Sequence, residues 1–380
     1  MIERTAELLN VKEDMLQEFQ EYDPFGDTEL TGVICRQSDY RYGAIVIFKI
    51  NEELCEQIIY CTPKLEYPFD KSGNFHWPII TQLEVWDKLD GTNILAYWYS
   101  YKNEKRLTYK TRLTPVLKDG KYGGFRSMWT EYCNENPWIN QVIAENPLYN
   151  LSFEMYGTRN PITVTYDVPL DVSLLFGIRQ EDHAVKPPSQ LQTQLTTKLP
   201  KKIQIDNKRE LTNLYEQLRT DMSTHNEEDV FFTEGMVLYA FCNQPSWRQF
   251  KAKPDEIQRI HWSHAGIPYR ELWNTVINSF EEGTSSYEHF LELLKEEYTD
   301  QQIGLSEQRI KKAFIQAKEQ VKFNAKANKI WKIAKEQGFD VTKDKAQTFR
   351  FMSQFFEKKD MRKVGTTILK QAGLLKEKTK

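Results

Sequence analysis

The sequence predicts an α+β chain in two parts: antiparallel sheets with flanking helices over residues 1–260, then an all-helical domain over 261–380. Three observations carry that expectation. Through the first part, short runs rich in β-branched and aromatic residues are separated by turn-forming clusters. From Pro268 onward apolar residues recur every three and four positions, and Gly and Pro almost vanish. The length, 380 residues, suits two domains.

Taken in order, the start reads as a helix over roughly 3–20, and GAIVIFKI (43–50), QIIYCT (57–62) and ILAYWYSY (94–101) read as strands. Turns are expected at Asp70-Lys71-Ser72-Gly73, Lys118-Asp119-Gly120-Lys121 and Arg159-Asn160-Pro161. A helix is expected near 130–145 and a strand at ITVTYDV (162–168). After Lys186-Pro187-Pro188-Ser189 the chain is polar to about 202, a surface loop. Asn207 has capping-box spacing to Glu210, ahead of Leu211, Leu214, Tyr215 and Leu218 at helical intervals. VFFTEGMVLYAF (230–241) and WRQFKAK (247–253) close the first part as strands. In the second, helices are marked by Leu272, Val276 and Phe280, by Phe290, Leu294 and Tyr298, and by Ile310, Phe314, Ala317 and Val321.

Apolar residues make up 40% and charged residues 28%, a balance that excludes a disordered chain. No apolar run is long enough for a spanning helix, and the charged N-terminus reads as no secretory signal. Five cysteines without a CxxC pair argue against a disulfide framework or a zinc site and for a reducing cytoplasm. His261 and His264 lack neighbours at metal-ligand spacing. The net charge of −3 hides a strong asymmetry. From Arg309 to Lys380 there are 20 Lys+Arg and 7 Asp+Glu, a local +13 that leaves −16 on the rest. A basic tail on an acidic body points to a polyanion partner, with a solvated lysine-rich helix as the plain alternative.

The candidate chemistry starts at Lys88-Leu89-Asp90-Gly91-Thr92-Asn93, between two strand-like runs. A lysine acting as a nucleophile must lose its proton, which burial or nearby cations promote. Phe153-Glu154-Met155-Tyr156-Gly157, Glu234-Gly235-Met236-Val237 and Lys251-Ala252-Lys253 follow in that order. Lys251 and Lys253 are two apart, so on a strand they share a face and could clamp a phosphate. Glu154 and Glu234 are acceptors suited to hydroxyls or a hydrated divalent cation. Each segment alone has a bland reading: an ordinary turn, a solvated strand edge, a lone strand acid. Gly120-Lys121-Tyr122-Gly123-Gly124 lacks the spacing of a phosphate-binding P-loop and reads as a turn.

The ordered set KxDG, FExxG, EGxV and KxK resembles motifs I, III, IV and V of the covalent nucleotidyltransferase superfamily of ATP-dependent ligases and capping enzymes, over residues 80–255. The resemblance implies a nucleotidyltransferase domain in which Lys88 becomes AMP-linked, Asn93 and Glu154 bind the nucleotide with Glu154 on the ribose, Glu234 serves the metal with Asp90 beside it, and Lys251 and Lys253 act on the α-phosphate. It further implies an Arg of motif Ia, for which Arg112 is the candidate and Arg106 the alternative, and an adenine-stacking aromatic of motif IIIa. Phe176 in LLFGIR is placed there, with a core ring as the equal alternative. The family's nucleotide and metal would be ATP with Mg²⁺ or Mn²⁺.

Within that superfamily, Asn93 stands where DNA ligases and capping enzymes carry an Arg, and Gly91-Thr92-Asn93 is similar to the RNA ligase branch. The helical second part replaces the β-barrel of the other branches, and the chain before Lys88 is short. Asp90 departs from the His of some RNA ligases, and the RG-rich strand and KFFN-like segment have only weak counterparts at Leu30–Ile34 and Pro63–Phe69. The chain is therefore identified as a divergent ATP-dependent RNA ligase, joining 5′-phosphate and 3′-hydroxyl ends through lysyl-AMP and adenylylated RNA. A DNA-nick ligase, an mRNA guanylyltransferase, and a non-catalytic RNA-binding protein with a retained nucleotide pocket are the alternatives. The partner implied is RNA, held by the basic helices, with no membrane role and with room for a partner enzyme that heals the ends first. Trp331, Phe323, Phe349, Phe351 and Phe355 are candidates to stack on bases or to fill helical core.

Overall fold

The computed structural model describes all residues except 71–72, 120–123, 161–163, 165, 194–195, 206–209, 224–232, 243–245, 255–266, 268, 282–285, 299, 373 and 375–380. The chain divides into two compact units. The first comprises Met1–Lys118, Phe125–Met155 and Val172–Gln258; the second takes Asp119–Gly124, Tyr156–Asp171 and Arg259–Lys380.

The first unit opens with α1 (Ile2–Leu9), not with a helix reaching to 20. Asn10 takes the left-handed conformation (φ 50°) and ends the helix, as Asn is suited to do. The Glu- and Gln-rich stretch that follows becomes strand β1 (Leu16–Asp23) because β2 (Thr28–Cys35) pairs with it residue for residue, overriding local propensity. With β3 (Ile45–Ile50) and β4 (Glu53–Ile59) they form an antiparallel meander, ordered β1-β2-β3-β4.

The next strands alternate between two further sheets. β5 (Gln82–Lys88) enters one; β6 (Thr92–Tyr101) enters another and turns back as β7 (Glu104–Lys110). Lys102 and Asn103 both have positive φ, the tight two-residue hairpin that matches strand twist. The helix expected near 130–145 is two, α2 (Phe125–Glu135) and α3 (Trp138–Glu145), broken at Pro137. β8 (Tyr149–Tyr156), β9 (Asp171–Arg179) and β10 (Val185–Lys186) complete a sheet ordered β10-β9-β8-β6-β7. Of ITVTYDV (162–168), part lies outside the described residues, and the described part belongs to no strand.

β11 (Lys202–Ile203), α4 (Leu211–Ser223), β12 (Gly235–Phe241) and β13 (Trp247–Ala252) follow, giving the sheet order β11-β5-β12-β13. The cap proposed at Asn207 lies outside the described residues. The α4 start is held by Glu210, whose carboxylate accepts from the Thr212 and Asn213 N–H groups at 3.1 Å. Leu214, Tyr215 and Leu218 bury against Val85, Leu238 and Phe250 on one face of this sheet. Its other face supplies Trp86, Val237 and Tyr239 to the main core, with Leu95, Tyr97 and Tyr99 of β6 and Ile34 and Ile45 of the meander.

The described elements after Gln258 are all helical: α5 (Tyr269–Glu281), α6 (Tyr287–Glu297), α7 (Asp300–Glu336), α8 (Lys345–Met352) and α9 (Met361–Gln371). The 37-residue α7 serves two cores. Its first half packs Ile310, Phe314 and Val321 with α5 and α6; its second half packs Ala327, Ile330 and Trp331 with α8 and α9. The apolar face turns between halves, which is why no single stripe runs its length. The boundary expected at 260, and His261 and His264, lie outside the described residues.

Candidate active site

Residues 88–93 are the crossing between two sheets. Lys88 ends β5 in one and Thr92 begins β6 in the other, so Leu89-Asp90-Gly91 is the passage. Chemistry borne by both sheets therefore meets here.

From the β5 sheet, β12 pairs antiparallel with β5 so that Gly235 lies opposite Lys88. Glu234, immediately before the strand rather than within it, thereby reaches the Lys88 amine, and the two form a short ion pair. A glycine is required at 235: its φ is +151°, and a Cβ there would sit 2.2 Å from the Ala252 carbonyl oxygen on β13. β13 brings Lys251 opposite Val237, which lies opposite Trp86, so Lys251 projects from the face that carries Lys88. Lys253, just past the strand, has its amine 3.9 Å from Glu234. Lys251 is 6% exposed, its amine 4.3 Å from the Tyr67 ring centroid.

From the β6 sheet, Asn93 lies opposite Glu154. Along β8, Asn150, Ser152 and Glu154 alternate with Leu151, Phe153 and Met155, and Phe153 packs on Trp129 and Trp138 of the helices. Glu154 Oε1 accepts the Gly91 N–H at 2.9 Å, which ties the passage to β8. Burial pushes its carboxyl up to about 7; Lys88 and Arg112 pull it down, as does the Asn93 hydrogen bond, while Glu234 pushes it further up. These influences on Glu154 put it in one electrostatic neighbourhood with Lys88, Glu234 and Arg112.

Sequence-assigned residues fare differently. Arg112 acts on Glu154, and its guanidinium lies 5.7 Å from the Tyr42 ring centroid. Arg106, the alternative, is engaged elsewhere, bonded to the Gly26 carbonyl and placed over Tyr101. Asn93 spends its amide on protein groups: Nδ2 donates to Ser152 Oγ (2.9 Å), the Phe153 carbonyl (3.2 Å) and Glu154 (3.4 Å), and Oδ1 accepts from Thr62 (2.7 Å). These bonds tie Asn93 to the Glu154 strand and to Thr62. Asp90 is buried at 7% exposure in the passage. Phe176 is enclosed at 3% exposure, edge-to-face with Tyr239 inside the main core, and this packing supports the core alternative over base stacking. Among the described residues no three His, Cys, Asp or Glu side chains form a metal-holding group.

Three contributors escaped sequence reasoning. Tyr67 arrives because the segment around Glu66 hydrogen-bonds along β13, Glu66 N–H to Gln249 O and Lys251 N–H to Glu66 O. Thr62 anchors Asn93. Lys110, fully buried, donates to the carbonyls of Gly43, Thr111 and Arg112 and to Cys61 Sγ, fixing the backbone from which Arg112 projects. A lysine ending an otherwise ordinary strand carries no local signal of burial.

No family model matches this chain, and no curated protein does. Among solved structures it is similar to an archaeal ATP-dependent RNA ligase, with a TM-score of 0.48 and 14% identity over 87% of this chain and 82% of that one. It is also similar to a chain named as an ATP-dependent DNA ligase from Aquifex aeolicus (TM-score 0.43, 12% identity, 94% and 89% covered). A third is a Naegleria gruberi RNA ligase mutant with ATP and Mn (0.34, 10%, 64% and 97%).

Proposed function

We propose that this chain is an ATP-dependent RNA ligase whose nucleophile is Lys88. The observation that carries the reading is the convergence of Lys88, Glu234 and Lys253, paired in space across 165 positions of sequence, with Glu154 and Arg112 coupled to them. A half-buried amine, cations on the same face and carboxylates opposite are what attack on a nucleotide α-phosphate requires.

Glu234 holds the Lys88 amine in place. For catalysis that pair opens, and the deprotonated amine attacks the α-phosphorus of ATP; the N–P bond forms as the P–O bond to pyrophosphate breaks. Lys251 and Lys253 face the charge that builds on the phosphate oxygens. The 5′-phosphate of an RNA end then attacks the lysyl-AMP phosphorus and frees the lysine. Finally the 3′-hydroxyl of the second end attacks the activated 5′-phosphate, and AMP leaves. Glu154 is placed to meet the ribose hydroxyls from the opposite sheet.

Glu234 lies close enough to Glu154 to push the Glu154 carboxyl up, and such oxygen donors suit a hard divalent cation. Mg²⁺ or Mn²⁺ bound there would supply neutralisation of phosphate charge, and such an ion, completed by water and phosphates, needs no three-residue protein cage. The RNA preference rests on Gly91-Thr92-Asn93 and on the helical second unit, and the five free cysteines suit a reducing cytoplasm. No helix among the described residues is long and apolar enough to cross a membrane.

Incubation with α-labelled ATP or GTP and Mg²⁺ or Mn²⁺ tests the reading. A covalent adenylyl band that Lys88→Ala abolishes is expected; a band with GTP alone points to capping, and no band with either nucleotide ends the ligase proposal. Sealing scored on RNA and on DNA 3′-ends separates the remaining alternatives.

A further inference from the structure

Part of the basic character of the second unit forms a stripe along α7. In α7, Lys311, Lys318, Lys322 and Lys329 fall within an arc of about 40° at 100° per residue, with Lys326 beside them. Where α7 meets α9 this stripe runs into two half-buried rings. Phe323 and Phe356 lie 5.6 Å apart; the Lys326 amine sits 4.7 Å from the Phe356 centroid and the Lys363 amine 6.0 Å from that of Phe323. The register is fixed, because Thr367 on α9 donates to Asn324 on α7 at 3.1 Å. Lys322, Lys326 and Lys363 are exposed, and none is in an ion pair among the described residues. The acid at the border, Glu357, is paired with Lys359 at 2.7 Å.

We infer that this patch, Lys322, Phe323, Lys326, Phe356 and Lys363, grips an unpaired stretch of RNA, an assignment that rests on the proposed ligase reading. Lys322 and Lys326 are one turn apart, about 6 Å, close to the spacing of successive phosphates along a strand. Lysines alone would serve a duplex or an anionic bilayer as well. Rings set between them favour a single strand, whose unstacked bases can lie on an aromatic face while the cations take the backbone. Trp331 is buried in the helical core, and Phe323, Phe356, Phe349 and Phe351 are all half-buried against it; what sets Phe323 and Phe356 apart is that they touch each other and each lies beneath an exposed lysine amine. Phe355 is 42% exposed and lies tilted against Phe351.

The test uses the full chain and a fluorescent, unstructured RNA of about 20 nucleotides, with affinity followed by anisotropy across a salt series. K322Q/K326Q/K363Q is compared with the charge-matched K332Q/K343Q/K345Q, and circular dichroism checks that both keep the wild-type helix content. The patch variant should bind at least about tenfold more weakly, with its salt slope reduced by about 2 for three lost phosphate contacts. Phe356→Leu, which stays apolar but removes the ring, should weaken single-strand binding and leave the slope and the wild-type helix content unchanged. Equal loss in both triple variants overturns the assignment. So does tighter binding of an RNA duplex, or capture by phosphatidylserine vesicles without RNA binding. Lysyl-AMP formation by the wild type is scored separately: its absence sinks the ligase reading, while the two-variant comparison alone decides the patch.

Discussion

Replacing Glu154 by Gln tests the electrostatics of the site through stability. The Glu154 carboxyl is 8% exposed and is raised from 4.5 to about 7, with burial the leading cause. Because its folded-state value lies above its unfolded one, the folded chain binds the extra proton between those two pH values. Stability from this group is therefore complete below about 4.5 and is lost as pH rises toward 7. The displacement corresponds to roughly 3 kcal/mol at full titration. Gln keeps the shape and an acceptor for the Gly91 N–H but does not ionise. Urea unfolding of wild type and Glu154→Gln, followed by tryptophan fluorescence at pH 5 and pH 8, should show the variant gaining roughly 3 kcal/mol on the wild type between the two. A difference that stays constant over this range would mean that the carboxyl titrates normally, and would refute burial as the dominant influence on Glu154.

Three further outcomes are expected. Arg112→Ala should slow covalent AMP transfer at least about tenfold, whereas Arg106→Ala, bonded to the Gly26 carbonyl, should leave single-turnover adenylylation within about twofold; the reverse pattern would exchange the two assignments. Gly235→Ala should destabilise the first unit by at least about 2 kcal/mol in urea unfolding, since its Cβ meets a backbone carbonyl that cannot move without breaking the β12–β13 pairing. Phe176→Leu should cost about 1–2 kcal/mol of stability while leaving the KM for ATP unchanged, and a large rise in KM without loss of stability would restore the stacking role.

Much of the candidate site was legible because four short segments follow one another in a recognisable order. Each alone has a bland reading; the order KxDG, FExxG, EGxV and KxK is what named Lys88, Glu154, Glu234, Lys251 and Lys253. Asn93 was assigned to the nucleotide because its place in the motif is all that sequence displays; only the pairing of β6 with β8 reveals that its amide is spent on Thr62, Ser152 and Glu154. Phe176 failed to declare itself for a related reason, as a ring in an apolar strand looks the same whether it faces a base or Tyr239.

By itself the sequence determined the helical periodicity after Pro268, the charge asymmetry and the order of the motifs, since each is a property of local composition and spacing. Tertiary structure alone decided the rest. It turned 16–23 from helix to strand through pairing with β2, put Arg112 within electrostatic reach of Glu154 while Arg106 bonds the Gly26 carbonyl, and brought Tyr67 to Lys251 along the edge of β13. It also made Glu154 a carboxyl poised near neutrality, because burial and the distance to each neighbouring charge exist only once two sheets face one another across the Lys88–Asn93 crossing.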